Sequence, residues 1–268
     1  MTNLLIVAFH ELSRFFRTRR GWLTIIGFTL IWTTLLLTVV RQASDFMTSE
    51  QTGSIADALL HYFGLDALNN WAAPEVAAYW LIALYLLPMF CLPIAADLFA
   101  SDRARGTLRF VALRSSRSKI FFGRLIGQWL IQLVIVTASF FSVIILIGFR
   151  SPTQAIPAFT QAPIVIINLM LVLTPLILMM GCVSIIARSA RQATLLAVSV
   201  WLVSAIAISW IQYQIGSVPV LDWALPGSQI PSLLQLSGWD TLQLANIPIT
   251  QSFILLLLGW WVAHRIAI

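Results

Sequence analysis

Six stretches of this chain contain no Asp, Glu, Lys or Arg: residues 21–40, 76–96, 125–149, 163–187, 193–211 and 249–263. A charged side chain at the centre of a membrane helix costs about 3 kcal/mol, so such runs are what a bilayer-spanning helix requires. Twenty residues at about 1.5 Å each reach about 30 Å, the thickness of the hydrocarbon core. The sixth stretch is the shortest, and Pro248 stands at its start. Composition agrees: 59% of the 268 residues are hydrophobic and only 10% are charged, against about 25% charged in soluble domains. That balance excludes a disordered chain and a fully solvated globule, and it argues against a nucleic-acid-binding domain although the net charge is +6. The expected fold is one all-α polytopic membrane domain over residues 1–268.

The basic residues predict the orientation, because Lys and Arg collect on the cytoplasmic side. Fourteen of the sixteen fall on one side: Arg14, Arg17, Arg19, Arg20, the seven from Arg103 to Arg124, Arg188, Arg191 and Arg265. Arg41 and Arg150 fall on the other. Glu11, Asp97 and Asp102 share the basic side, and the other seven acidic residues lie opposite. Both termini are therefore expected in the cytoplasm, and the cell membrane, a bacterial inner membrane, is the expected location. No A-x-A-like site follows the first apolar run, so a secretory signal is not expected. Trp22, Trp129, Trp260 and Trp261 fall near the inner boundary, and Trp71, Trp80 and Trp210 near the outer one, as interfacial indoles would. Trp32 and Trp201 fall mid-span and are expected to pack against other spans.

Three segments between or before the spans carry their own patterns. Residues 3–18 predict an amphipathic helix. Leu4, Leu5, Ala8, Phe9, Leu12, Phe15 and Phe16 share one face, and His10, Glu11, Arg14 and Arg17 lie elsewhere. Such a helix lies in the membrane interface with its arginines among lipid headgroups. In the acidic loop 41–75, Ser54 and Asp57 resemble a capping box. Ile55, Ala58, Leu59, Tyr62 and Phe63 repeat at helical spacing before Gly64. That helix is expected either as a lid on the outer leaflet or as a connector that buries its own apolar face. The loop 212–248 combines breakers with apolar residues, including Trp223, Pro226, Gly227, Pro231 and Trp239. Broken, apolar backbone between spans must be buried in protein or line a cavity, so these five residues are candidates for an external gate.

The segment 97–124 is longer than a turn requires, and Leu108, Val111 and Ala112 recur there at helical spacing beside Arg105, Arg109 and Arg114. A short amphipathic helix parallel to the membrane fits this pattern, resting on lipid or docking into a partner's groove.

Catalytic motifs are missing from the sequence. It has no G-x-x-x-x-G-K-[ST], H-E-x-x-H, C-x-x-C or G-x-S-x-G, so no catalytic, cofactor or metal residues are assigned. The two cysteines, Cys91 and Cys182, lie inside apolar runs. Together with Met89, Met179 and Met180 they form a soft-ligand pattern suited to Cu(I), but Met and Cys are also ordinary packing residues.

The run Asp102, Gly106-Thr107-Leu108, Arg117, Gly123-Arg124 resembles the type-2 family of ATP-binding-cassette (ABC) exporter permeases. The amphipathic start, the six spans and the broken segment before the sixth span resemble that family too. The sequence departs from it where a second acidic residue is common, at Ala104, and in lacking Pro near Ser115 and Ser116. The resemblance implies an elbow helix at the N-terminus and a cytoplasmic coupling helix near residues 98–115. It implies a dimer of this chain, or a pair with a close paralogue, and separate ATPase subunits that bind ATP and Mg²⁺ while this chain binds none. It implies that Asp102, Arg103, Arg105, Gly106, Thr107, Leu108, Val111 and Ala112 meet the ATPase. Membrane lipids are the other expected partner, and nucleic acid is not expected. The alternatives are a membrane enzyme or a metal- or cofactor-handling protein working without an ATPase, and a membrane anchor or sensor that transports nothing.

Overall fold

The computed structural model describes residues 2–49, 53–107, 116–216 and 218–265. Leu108, Val111 and Ala112 lie outside the described residues. The described residues form helices, turns and irregular links, with no strand. Six helices are long and apolar enough to cross a membrane: Gly21–Met47, Pro74–Ala104, Arg117–Arg150, Ala162–Ile186, Ala190–Ile215 and Asn246–Arg265. They are called the first to sixth spans here. Most run past the apolar stretches, because polar residues at their ends continue the helix into the interface. An N-terminal helix, Thr2–Arg17, precedes them. Contacts sort the chain into two ends. Arg14, Arg103, Arg117 and Arg124 meet partners at one end. Arg150 meets Asp45 and Glu75 at the other. We call these the basic and the acidic end.

The fourth span is the centre of the bundle. It packs against the second, third, fifth and sixth spans, and 78% of its apolar window is buried. Lipid tails are as apolar as Leu, so close packing and hydrogen bonds, rather than escape from water, hold such helices together. A chain of aromatic rings joins the first three spans. Trp32 meets Tyr79 edge-on at 5.4 Å, and Tyr79 meets Phe140 at 5.4 Å. The Trp32 indole donates to Ser142 Oγ at 2.7 Å, and the Tyr79 hydroxyl bonds Ser139 at 3.1 Å. The fifth span is the opposite case: only 11% of its window is buried.

The first span changes register partway. Its α-helix Arg19–Leu35 passes into a π-helical turn, Leu36–Val40, before Arg41–Thr48 continues the rod. Thr34 and Thr38 bond back to the carbonyls of Leu30 and Thr34, at 2.9 and 2.6 Å. Such back-bonding loosens a helix and accommodates an extra residue per turn.

Several sequence expectations need correction. Trp71 and Trp80 are buried and lie 5.3 Å apart, and Trp129 donates to Thr174 of the fourth span at 3.2 Å. These indoles hold the bundle rather than mark its boundaries, whereas Trp22, Trp210, Trp260 and Trp261 are exposed as a belt would be. Trp32 packs as expected. Trp201 is 40% exposed instead, and its indole donates to the Pro226 carbonyl at 3.1 Å. The loop helix Gly53–Tyr62 forms, and Gly64 with φ +67° reverses the chain after it. Its Ile55, Leu59, Tyr62 and Phe63 point outward, so it does not bury its own apolar face.

The link to the sixth span folds back into the bundle. It contains short helices at Pro219–Asp222 and Ile230–Leu233 and a 3₁₀ turn at Gly238–Leu244. Trp201 lies 14 residues short of the end of Ala190–Ile215, roughly 20 Å of helix. The Pro226 carbonyl that reaches it therefore descends to the middle of the fifth span. Gln251 fixes the same turn by donating to the carbonyls of Trp223 and Leu225, both at 2.8 Å. Asn168 of the fourth span donates to Thr241 at 2.8 Å, with both side chains buried. Backbone carbonyls that would otherwise face hydrocarbon are thus capped by side-chain donors.

Candidate functional site

At the basic end a short helix, Ala100–Ala104, forms the end of the second span, beyond its long helix Pro74–Ala95 and past the uncharged stretch that crosses the membrane. Asp97 caps its start by accepting from the Ser101 N–H at 3.1 Å and from the Ser101 hydroxyl. Its end is set by Gly106, whose φ of +70° only glycine adopts without strain. The turn carries the Thr107 hydroxyl back to the Asp102 carbonyl and carboxylate, both at 3.1 Å. The Asp102, Gly106 and Thr107 of the sequence pattern are therefore the closing elements of one tight turn.

Asp102 is the hub of the site. Its carboxylate accepts from Arg124 at 2.6 Å, Arg14 at 3.2 Å and Arg105 at 3.3 Å. Burial pushes this carboxyl up, but Arg124 and Arg14, with hydrogen bonds from Arg124 and Thr107, more than reverse that. They hold it below the usual carboxylate range. Burial likewise pushes the Arg14 guanidinium down, and Glu11 and Asp102 more than restore it. Arg124 is itself buried. It donates to the Leu98 carbonyl at 2.6 Å, pairs with Glu11 at 3.3 Å and lies over the Phe99 ring at 5.3 Å. Each of its nitrogens therefore has a partner, the condition under which a buried guanidinium is tolerated.

The N-terminal helix reaches this hub because the third span is notched. A Cβ built on Gly123 would lie 2.8 Å from the Val7 side chain. One built on Gly127 would lie 2.9 Å from the Ala8 carbonyl and 2.7 Å from Glu11 Cβ. Small residues four apart let two helix backbones approach closely, and Ala8 is fully buried in the contact. Glu11 and Arg14 thus pair with Arg124 and Asp102 of the bundle, where the expectation left the arginines of this helix among lipid headgroups. Leu5, Phe9 and Phe16 keep the exposed apolar face.

Arg103 adds a fourth helix. It donates to the carbonyls of Ile185 and Ile186, at 2.5 and 2.6 Å, where the last carbonyls of the fourth span lack helical partners. Arg117 reaches the His264 carbonyl at 3.2 Å, which ties in the end of the sixth span. The short helix Ala100–Ala104 is therefore bonded to the N-terminal helix and to the third and fourth spans.

Of the sequence-predicted docking residues, Asp102, Arg103 and Thr107 are engaged within the chain, and Arg105 reaches outward from Asp102 with an exposed side chain. Sequence reasoning named Arg124 only as part of the family-like run and gave no site role to it or to Glu11, Arg14 and Gly127. The signals were present: an acid among arginines three residues before Arg14, and Gly-x-x-x-Gly beside a buried arginine. At the acidic end, Pro226 is buried and Gly227 takes φ +90°. Trp223 is partly buried, while Pro231 and Trp239 are exposed. Of the soft-ligand pattern, Met89 is 71% exposed and Cys182 turns to the Leu255 carbonyl of the sixth span. No group of three or more His, Cys, Asp or Glu able to hold a metal occurs among the described residues.

The family model described as ABC-2 family transporter protein matches residues 5–258, a stretch that takes in most of the N-terminal helix, most of the sixth span and everything between. No curated protein matches the chain.

Proposed function

The chain belongs to the ABC-2 transporter family, and on that premise we propose that two copies enclose one pathway, driven by separate ATPase subunits acting on residues 98–115. A multi-pass membrane permease component is what the family and the six apolar helices establish. Partnership with ATP-binding-cassette subunits follows from the family. The finer reading supplies the mechanics. Closure of the ATPases on ATP pushes the cytoplasmic segment, and the bundle switches between an inward-open and an outward-open arrangement. The basic end is the cytoplasmic end, ATP and Mg²⁺ belong to the partner subunits, and the direction is export.

The observation that carries this reading is the Asp102 hub. A push on the short helix Ala100–Ala104 is delivered at once to the N-terminal helix through Arg14, to the third span through Arg124 and to the fourth through Arg103. A surface loop resting only on lipid would not need three such ties. The dimer contact is assigned to the first and fifth spans. Their windows are only 22% and 11% buried, and the fifth offers Ser199 and Ala207 on exposed positions where helices approach closely. Paired cysteines in these two spans should crosslink, whereas efficient links only between third spans would reject the assignment. The coupling itself is tested by co-expressing the chain with P-loop ATPases and measuring co-purification and ATP-dependent efflux from vesicles. Efflux independent of any ATPase would reject it.

A further inference from the structure

Beside the Asp102 hub the basic end opens into a cleft of about 850 Å³. Its walls come from the N-terminal helix and from the inner parts of the first, second, third and fifth spans. Four arginines line it, Arg14, Arg105, Arg188 and Arg191, against two carboxylates, Glu11 and Asp97. The carboxylates are already committed, Glu11 to Arg14 and Arg124 and Asp97 to Ser101. Arg14 and Arg105 pair with Asp102. Arg188 and Arg191 form no ion pair among the described residues and are exposed.

A second observation lies deeper in the same cleft. Gln128 of the third span lines it and is 4% exposed, yet its Nε2 has no hydrogen-bond partner among the described residues. A buried donor left unpaired is destabilising, so the position favours a ligand that brings an acceptor. Phe15, Ile94 and Ile131 make the neighbouring wall apolar. Arg188 and Arg191 flank the first residue of the fifth span, Ala190–Ile215.

We infer that this cleft binds the phosphate-bearing headgroup of an anionic lipid, with Arg188 and Arg191 on the phosphate oxygens and Gln128 Nε2 donating from below. Arginine presents planar paired donors that match phosphate oxygens. The volume suits a headgroup, since sites for small ligands span about 300–1,000 Å³. The apolar wall of Phe15, Ile94 and Ile131 accommodates the first segments of the acyl chains. Free phosphate shares the anionic chemistry but leaves that wall exposed to water. The site needs no ATPase partner, so it stands or falls separately from the coupling mechanism.

The test uses the full chain in phosphatidylcholine nanodiscs carrying spin-labelled phosphatidylglycerol, with the motionally restricted fraction as readout and spin-labelled phosphatidylcholine as reference. The unmodified chain should prefer phosphatidylglycerol. Arg188→Gln with Arg191→Gln should weaken that preference on the order of tenfold, as loss of the charge-assisted hydrogen bonds to the phosphate predicts. Gln128→Leu, which keeps the volume and removes the donor, should weaken it severalfold while the chain elutes unchanged on size exclusion. Lys119→Gln with Arg265→Gln removes the same charge at the same end outside the cleft and should leave the preference intact. Equal loss in the two double variants would overturn the site, because total surface charge would then be sufficient. Displacement of the labelled lipid by millimolar inorganic phosphate would overturn the lipid as occupant.

Discussion

Asp102 and Arg124 form a 2.6 Å charge-assisted hydrogen bond that joins the short helix Ala100–Ala104 to the third span, with both side chains nearly excluded from solvent. Breaking a buried pair by removing one partner leaves an uncompensated charge and costs about 3–5 kcal/mol. Arg124→Met should therefore destabilise the protein by about 3 kcal/mol in detergent unfolding. Arg124→Met combined with Asp102→Leu should cost less than the sum of the single changes. Strict additivity would show that the two residues act independently.

The glycine notch makes a sharper prediction because one substitution can be compared at two places on one helix. Gly127→Ala puts a methyl 2.9 Å from the Ala8 carbonyl, whereas Gly148 has open space around it. The first should destabilise by about 1–3 kcal/mol through overpacking. The second should be neutral or stabilising by about 0.5–1 kcal/mol through helix propensity. Equal melting temperatures for the two variants would refute the docking of the N-terminal helix.

The low pKa of Asp102 predicts an acid limb. Its folded value lies below the ordinary 3.8. Its stabilising contribution is therefore fully present above that ordinary value and is lost as pH falls through the folded one. Thermal stability of the unmodified protein should fall more steeply below about pH 4 than that of Asp102→Asn, which starts lower at neutral pH. Parallel curves would remove the carboxylate from the account.

At the acidic end, Trp201→Phe and Gln251→Leu each delete side-chain donors to the folded-back link. Amide exchange across residues 219–245 should accelerate by roughly tenfold per lost hydrogen bond of about 1–1.5 kcal/mol, while the fourth span stays protected. Pro226→Ala with Gly227→Ala, which also strains a φ of +90°, should alter transport while leaving membrane insertion intact.

The six spans were legible because absence of charge over about twenty residues has one physical meaning. The two ends were legible from arginine placement for the same reason. Pairing was not. Hydrophobic periodicity assigned Glu11 and Arg14 to a lipid-facing polar side, because a pattern along one helix carries no information about a notch in another. Trp71 and Trp80 sit at span ends in sequence, and only tertiary contact turns their rings inward. Trp201 reads as mid-span packing, and nothing local reports that a loop 25 residues later folds back to meet its indole. The Asp102 turn was half legible: the Gly-Thr pair marked it, but its inward arginines come from residues 14 and 124.

Thiol labelling tests the orientation. Single cysteines at Ser49, Thr153 and Ser237 should react with a membrane-impermeant reagent on intact cells, and those at Ser116 and Ser189 should not. Labelling of Ser116→Cys from outside would reverse the assignment of the basic end to the cytoplasm.

Co-purification of the ATPase with apolar and charge variants of residues 98–119 tests the coupling claim most directly. Groove docking depends on shape at apolar positions, whereas lipid attraction depends on total positive charge. Leu108→Glu with Val111→Glu should abolish co-purification, and Arg117→Glu with Lys119→Glu should leave most of it. Retention of the partner at the unmodified level by the apolar double variant, together with its release by the charge reversal, would contradict the account.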